Sequence, residues 1–119
     1  MKQRFRLKRR QDFDSVMRAQ RVFAGRALVA FALPNPGGHW RVGVAVSRQL
    51  KGAVRRNRLR RRLREAARVG LLPGGSNEDA LGKAYDVVLI GRQAALDLPQ
   101  LALQEETARV RAVLEGIPP

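Results

Sequence analysis

The chain has 119 residues, of which 45% are apolar, and it carries 24 basic and 10 acidic side chains, one histidine and no cysteine, for a net charge of +14. That length encloses one modest core. The missing cysteines exclude disulfides, zinc–thiolate sites and thiol chemistry, and no apolar run approaches the ~18 residues of a membrane span, so the expectation is a soluble cytoplasmic protein. Charge is unevenly spread: residues 1–76 hold 20 basic and 3 acidic groups, residues 77–119 hold 4 and 7. Arginines outnumber lysines 20 to 4. The planar guanidinium matches phosphate oxygens and stacks on bases, so the imbalance favours a nucleic-acid partner over an anionic membrane or a merely solubilising face.

Residues 1–10 form a basic N-terminal arm with no apolar run behind it, unlike a signal peptide. In DFDSVMRAQ, Phe13, Val16, Met17 and Gln20 share a helical face, with the start at Gln11 or Asp12. Residues 27–33 (ALVAFAL) read as a strand ending at the Pro- and Gly-rich turn 34–38. Residues 40–47 then alternate, Trp40, Val42, Val44 and Val46 on one face and Arg41, Gly43, Ala45 and Ser47 on the other. The two strands, so close in sequence, predict an antiparallel hairpin. Gly43 leaves room for another backbone or a ligand to approach.

The segment RRNRLRRRLR places seven arginines in ten residues. Like charges this dense repel, so either the run is a disordered tail or a polyanion lies against it. A helix over residues 54–69 aligns Leu59, Leu63, Ala66 and Gly70 in one stripe, with Asn57, Arg60, Arg61, Arg64 and Arg68 roughly opposite. The stripe argues for a docked helix with a strongly positive outer side. Residues 70–84 have loop composition, and residues 85–91 (YDVVLIG) read as a buried strand. A final helix is expected from a capping box at Asp97 and Gln100 with Pro99 early in it, carries Leu103, Thr107, Val110 and Leu114 on one face, and stops at Gly116. The order helix, strand, strand, helix, strand, helix predicts an α+β fold, a small sheet packed with helices, in a single RNA-binding domain over residues 1–119.

Catalytic groups are scarce. His39 is the only histidine, and Asp12, Asp14 and Glu65 are the only carboxylates of the basic half. Gly37-Gly38 and Gly74-Gly75 lack the lysine and helix context of a phosphate loop. The chain reads as a binder. Phe13 and Met17 fit either the packing of the first helix or the rim of a groove where unpaired bases stack, and Phe31 and Trp40 fit packing better than stacking. Asn57 is a solvated helix residue or a hydrogen-bonding partner, and Ser47 with Arg48 is an ordinary loop or a phosphate-contacting corner.

The segment GVAVSRQLKGAVRRNRLRRRLREAAR resembles the signature of the bacterial ribonuclease P protein subunit, a valine-rich strand ending in serine and basic residues, then Ala-Val and an Arg-Asn-Arg core, here Arg56-Asn57-Arg58. The likeness extends to Leu7-Lys8-Arg9-Arg10, Asp12-Phe13 and Asp86 to Arg92. It implies a mixed sheet like ribosomal protein S5 domain 2, with a left-handed β-α-β crossover through the arginine-rich helix. It also implies an endoribonuclease that works as a ribonucleoprotein, in which a catalytic RNA with bound Mg²⁺ removes the 5′ leader of precursor tRNA while the protein binds both RNAs. No organic cofactor, membrane contact or obligate protein partner follows from it.

Carried over by position, Arg48, Lys51, Arg55, Arg56, Asn57, Arg58, Arg60, Arg61, Arg64 and Arg68 are expected near the catalytic RNA. Arg9, Arg10, Phe13, Met17, Phe31, Arg41, Gly43, Ala45, Ser47 and Arg92 are expected near the leader. Two departures stand out: Met17 occupies a position that is often aromatic in the family, and Lys51-Gly52 replaces a common Gly-Asn pair. A general RNA-binding protein such as a ribosomal protein explains the charge and the missing catalytic groups, but not the whole series of motifs. A protein nuclease acting alone would need metal-binding carboxylates or a base that these residues do not offer.

Overall fold

The periodicities just described reappear in a computed structural model, which describes residues 5–35, 38–72 and 84–116. In chain order the elements are helix α1 (Arg10–Met17), strands β1 (Arg21–Ala24), β2 (Leu28–Asn35) and β3 (Arg41–Val46), helix α2 (Ala53–Gly70), strand β4 (Ala84–Gly91), a 3-10 turn (Gln93–Leu96) and helix α3 (Gln100–Leu114). The strands form one mixed sheet in the order β1-β2-β4-β3. β4 runs antiparallel to β2 and parallel to β3, so α2 crosses between adjacent parallel strands.

The expected hairpin of residues 27–33 with 40–47 does not form, because β4 lies between β2 and β3. The reason is apolar content: Val87, Val88 and Leu89 are fully buried, so β4 loses least by taking a place covered on both faces. β1 is an addition. Its four residues, RVFA, are too few for an alternation to stand out, and the pairing slips between Arg21 and Phe23. Helix α1 starts at Arg10 rather than at Gln11 or Asp12, and ends at Met17, short of Gln20. The capping box is not made: α3 starts at Gln100 after Pro99 without a side-chain cap. Gln100 instead accepts a 3.0 Å hydrogen bond from Arg62 Nε and donates one of 2.9 Å to the Arg62 carbonyl. The loop of residues 70–84 lies mostly outside the described residues, as do Pro118 and Pro119, while Gly116 ends the described chain at φ +77°.

Helices α2 and α3 cover one face of the sheet. There Leu28, Ala30, Val42, Val87 and Leu89 meet Leu59, Leu63, Leu103 and Val110 in the main core. Each fully buried leucine contributes about 1.5–3 kcal/mol, and this offsets the repulsion of the arginines on the helix's other side. Helix α1 covers the opposite face with a second, smaller cluster. Leu7, Val16 and Val88 are buried in it, and Phe13, Met17, Phe31, Leu33 and Ile90 remain partly open. Thus the alternation predicted for residues 40–47 sorts the sheet, with Val42 and Val46 toward α2 and α3 and Gly43 toward α1.

Candidate nucleic-acid interface

Helix α2 begins at a turn that only glycine takes readily: Gly52 has φ +96°. The departure at Lys51-Gly52 therefore keeps a residue suited to the bend. Arg56 closes the same turn, its Nη1 donating to the carbonyls of Ser47 (3.2 Å) and Leu50 (2.9 Å), while the Arg56 backbone N–H reaches the Gly52 carbonyl at 3.0 Å. Arg62 faces inward too, hydrogen bonding to Gln100 and to the carbonyls of Leu96 and Leu98. These two arginines hold backbone.

The others look outward. Arg48, Lys51, Arg55, Asn57, Arg58, Arg61 and Arg68 are exposed, and Arg60 and Arg64 are half-buried. Arg68 is paired with Glu65 at 2.5 Å, and that hydrogen bond holds the Glu65 carboxyl below its ordinary range. As an exposed pair it adds little to stability. Arg60 donates to Asn57 Oδ1 at 2.8 Å. Arg64 is short of negative charge: burial, then the charges of Arg6 and Arg60, push its pKa down. Arg6 is brought there by a bridge to Val42, the Leu7 N–H donating to the Val42 carbonyl at 2.9 Å. Sequence reasoning assigned Arg6 no role, although Phe5-Arg6-Leu7 alternates as an added strand would. Three arginines from two segments, with neither Arg6 nor Arg64 in an ion pair with a carboxylate among the described residues, form a site whose repulsion an anion would relieve.

The second candidate surface lies under α1. A Cβ built on Gly43 would come 2.8 Å from Phe13 Cζ, so the space left at Gly43 is filled by the Phe13 ring. Phe13, Met17, Phe31 and Ala45 remain half-buried around it, an apolar floor only partly covered. The structure thus brings together Phe13, Met17, Phe31, Gly43 and Ala45. Trp40, in contrast, is 2% exposed and belongs to the main core.

The predicted polar residues of this surface are more scattered. Arg9 and Arg10 are exposed at the start of α1. Arg41 is held by Asp86, with Nε donating to Oδ1 at 2.9 Å and Nη2 to Oδ2 at 2.7 Å, and Asp12 lies 3.6 Å away. The hydrogen bond to Asp86 raises the Arg41 pKa, so this guanidinium is already neutralised by protein. Ser47 and Arg92 sit together at the far end of the sheet, joined through the Ser47 N–H to the Gly91 carbonyl at 3.0 Å, with Arg92 exposed.

Each carboxylate of the basic half has an arginine within 4.0 Å. Asp12 lies against Arg41, Asp14 against Arg10 and Glu65 against Arg68. Among the described residues no three His, Asp or Glu side chains converge as a metal site would require. No helix of the described residues is long and apolar enough to cross a membrane.

The family model described as ribonuclease P matches residues 1–115. Ribonuclease P protein components of Symbiobacterium thermophilum and Pelotomaculum thermopropionicum are similar, the first 44% identical over 107 residues (89% of this chain, 87% of the relative) and the second 36% identical over 104 residues (87% of each). Among solved structures, a Staphylococcus aureus RNase P protein mutant with defective mRNA degradation activity superposes with TM-score 0.71 at 29% identity, covering 94% of this chain and 89% of that one. The RNase P protein from Thermotoga maritima superposes with TM-score 0.68 at 25% identity, covering 88% and 93%.

Proposed function

Because the chain belongs to the ribonuclease P protein component family, we propose that it binds the catalytic RNA through α2 and the 5′ leader of precursor tRNA across the surface under α1. The observation that carries this reading is the separation of two unlike surfaces on one small fold. One is a helix face of outward arginines clustered with Arg6. The other is an apolar floor of Phe13, Met17 and Phe31. Phosphate contacts supply the affinity for structured RNA, whereas exposed rings suit bases that are not paired. In this reading the leader is removed by the RNA subunit with its own Mg²⁺, as family membership supports, and the protein contributes binding surface. The protein works in the cytoplasm, and the β3-α2-β4 crossover has the left hand that the family resemblance implies.

Reconstitution tests the division of labour. Precursor tRNA at low Mg²⁺ is expected to be cleaved fastest with both subunits, slowly or not at all with RNA alone, and not at all with highly purified protein alone. Robust 5′ processing by the protein without RNA would overturn the reading.

Phe13 has both a packing and a binding role in this scheme, and two substitutions separate them. Phe13→Ala uncovers Gly43 and is expected to lower stability by about 2–3 kcal/mol, less than the ~3–5 of a fully buried phenylalanine. Phe13→Leu keeps apolar cover and should fold nearly as the parent does. It loses the ring, so its affinity for leader-bearing precursor should fall by about 1–3 kcal/mol while mature tRNA binds as before. Equal losses for both substrates would leave Phe13 as packing alone.

A further inference from the structure

Pairing across the sheet lines up one row of residues on the face that α1 partly covers. Arg21 of β1 stands opposite Phe31 of β2, Phe31 opposite Val88 of β4, and Val88 opposite Gly43 of β3, over which the Phe13 ring lies. Directly paired residues share a face, so the row runs from one ring, past a second, to a guanidinium at the edge of the sheet. Val88 and Gly43 are themselves buried, so what the row offers a ligand is the partly open rings of Phe13 and Phe31 and the exposed Arg21, spread over three strand spacings of about 14 Å at ~4.8 Å each, the length of about four stacked nucleotides at ~3.4 Å each. Arg21 is exposed, next to the slip in pairing before Phe23, and Arg18 is exposed three residues earlier at the end of α1. Neither guanidinium has a hydrogen-bond or ion-pair partner among the described residues.

The geometry points to Arg21, with Arg18, as a phosphate-binding exit of the surface under α1, gripping the backbone of single-stranded RNA whose bases have crossed Phe31. This deepens the leader reading and rests on it. A duplex would offer this row only its phosphates and leave Phe31 without a base to stack on, so the occupant is a single strand. Arg18 alone has a simpler account, since a cation complements the C-terminal end of a helix. Arg21 alone could guard an edge strand against pairing with another chain. Neither account explains why a free cation ends the row that holds both rings.

The test uses the reconstituted holoenzyme and precursor tRNAs with leaders of about two and about eight nucleotides, short of the row and beyond it at ~3.4 Å each. With Arg18→Gln and Arg21→Gln combined, the long-leader substrate is expected to bind about 5- to 25-fold more weakly at ~0.1 M salt, with a salt slope flatter by about 1.4, at ~0.7 per single-strand phosphate contact. Binding of the short-leader substrate should not change, and Arg21→Lys should keep most of the long-leader affinity. If the parent protein binds both substrates alike, the leader reading itself fails and the exit with it. If the parent favours the long leader and the double variant keeps the full preference, the exit alone is overturned. A loss that is equal for both substrates also overturns it, moving the contact to the tRNA body or the catalytic RNA.

Discussion

Replacing Arg60, Arg61 and Arg64 with alanine is expected to weaken binding to the catalytic RNA by about 100- to 500-fold at ~0.1 M salt, with a salt slope flatter by up to ~2.7, since each phosphate contact on a helical RNA contributes ~0.9 by analogy with duplex DNA. The fold should survive. None of the three donates to backbone: Arg60 reaches only the exposed Asn57, and Arg64 lies among like charges. Removing them relieves repulsion and leaves the stripe of Leu59, Leu63 and Ala66 in the core. Arg62 supplies the contrasting case within the same run. Its guanidinium satisfies carbonyls of the turn that leads into α3, so Arg62→Ala should reduce thermal stability and alter RNA affinity far less. Filter binding across a salt series, beside thermal unfolding of each variant, separates the two. A folded triple variant with the parent's affinity and slope would move the RNA interface off α2.

The largest stability effect is expected at Glu106, in the acidic half of the chain. Its side chain is 7% exposed, and its carboxylate accepts the backbone N–H groups of Arg26 (3.0 Å), Ala27 (3.1 Å) and Leu28 (3.2 Å). These donors lie where β1 turns into β2, so one side chain fastens α3 to the edge of the sheet. Glu106→Ala strands three N–H groups in or near the core, at about 1–3 kcal/mol for each that water cannot reach. The expected loss is about 3–5 kcal/mol, a shift of roughly 10–20 °C in Tm for a domain of this size. Glu106→Gln keeps one carbonyl acceptor and should fall between. A Glu106→Ala protein that melts within a few degrees of the parent would mean that water replaces the carboxylate. Affinity for the catalytic RNA measured well below the lowered Tm should be unchanged, because Glu106 bonds the turn between β1 and β2 and none of the outward arginines of α2.

What can be read in the sequence is what repeats over a few residues. The stripe of Leu59, Leu63 and Ala66 fixed α2 as a docked helix, the alternation of residues 40–47 fixed which side chains face which side of the sheet, and the run of arginines fixed the sign of the outer surface. These signals are local, since 3.6-residue and two-residue periods follow from backbone geometry alone. The Arg-Asn-Arg core carried the family resemblance for a similar reason, being contiguous. Strand order was not legible, because the choice of neighbour for β2 depended on burying Val87 to Leu89 of β4, which pair with Ala32 to Ala30, nearly sixty residues away in sequence.

Nor could the sequence divide the arginines among their tasks. Arg41 and Arg62 carry the same guanidinium as Arg61, yet Arg41 is neutralised by Asp86, 45 residues away in sequence, and Arg62 holds carbonyls up to 36 residues away. Phe13 likewise gained its place from Gly43, a residue with no local tie to it. An arginine's charge is intrinsic, but whether that charge is satisfied by protein or left for RNA depends on which carbonyls and carboxylates folding brings within about 3 Å. Composition therefore determined that the chain is positive, periodicity that its arginine-rich helix is docked, and the tertiary structure decided which of its positive charges remain free.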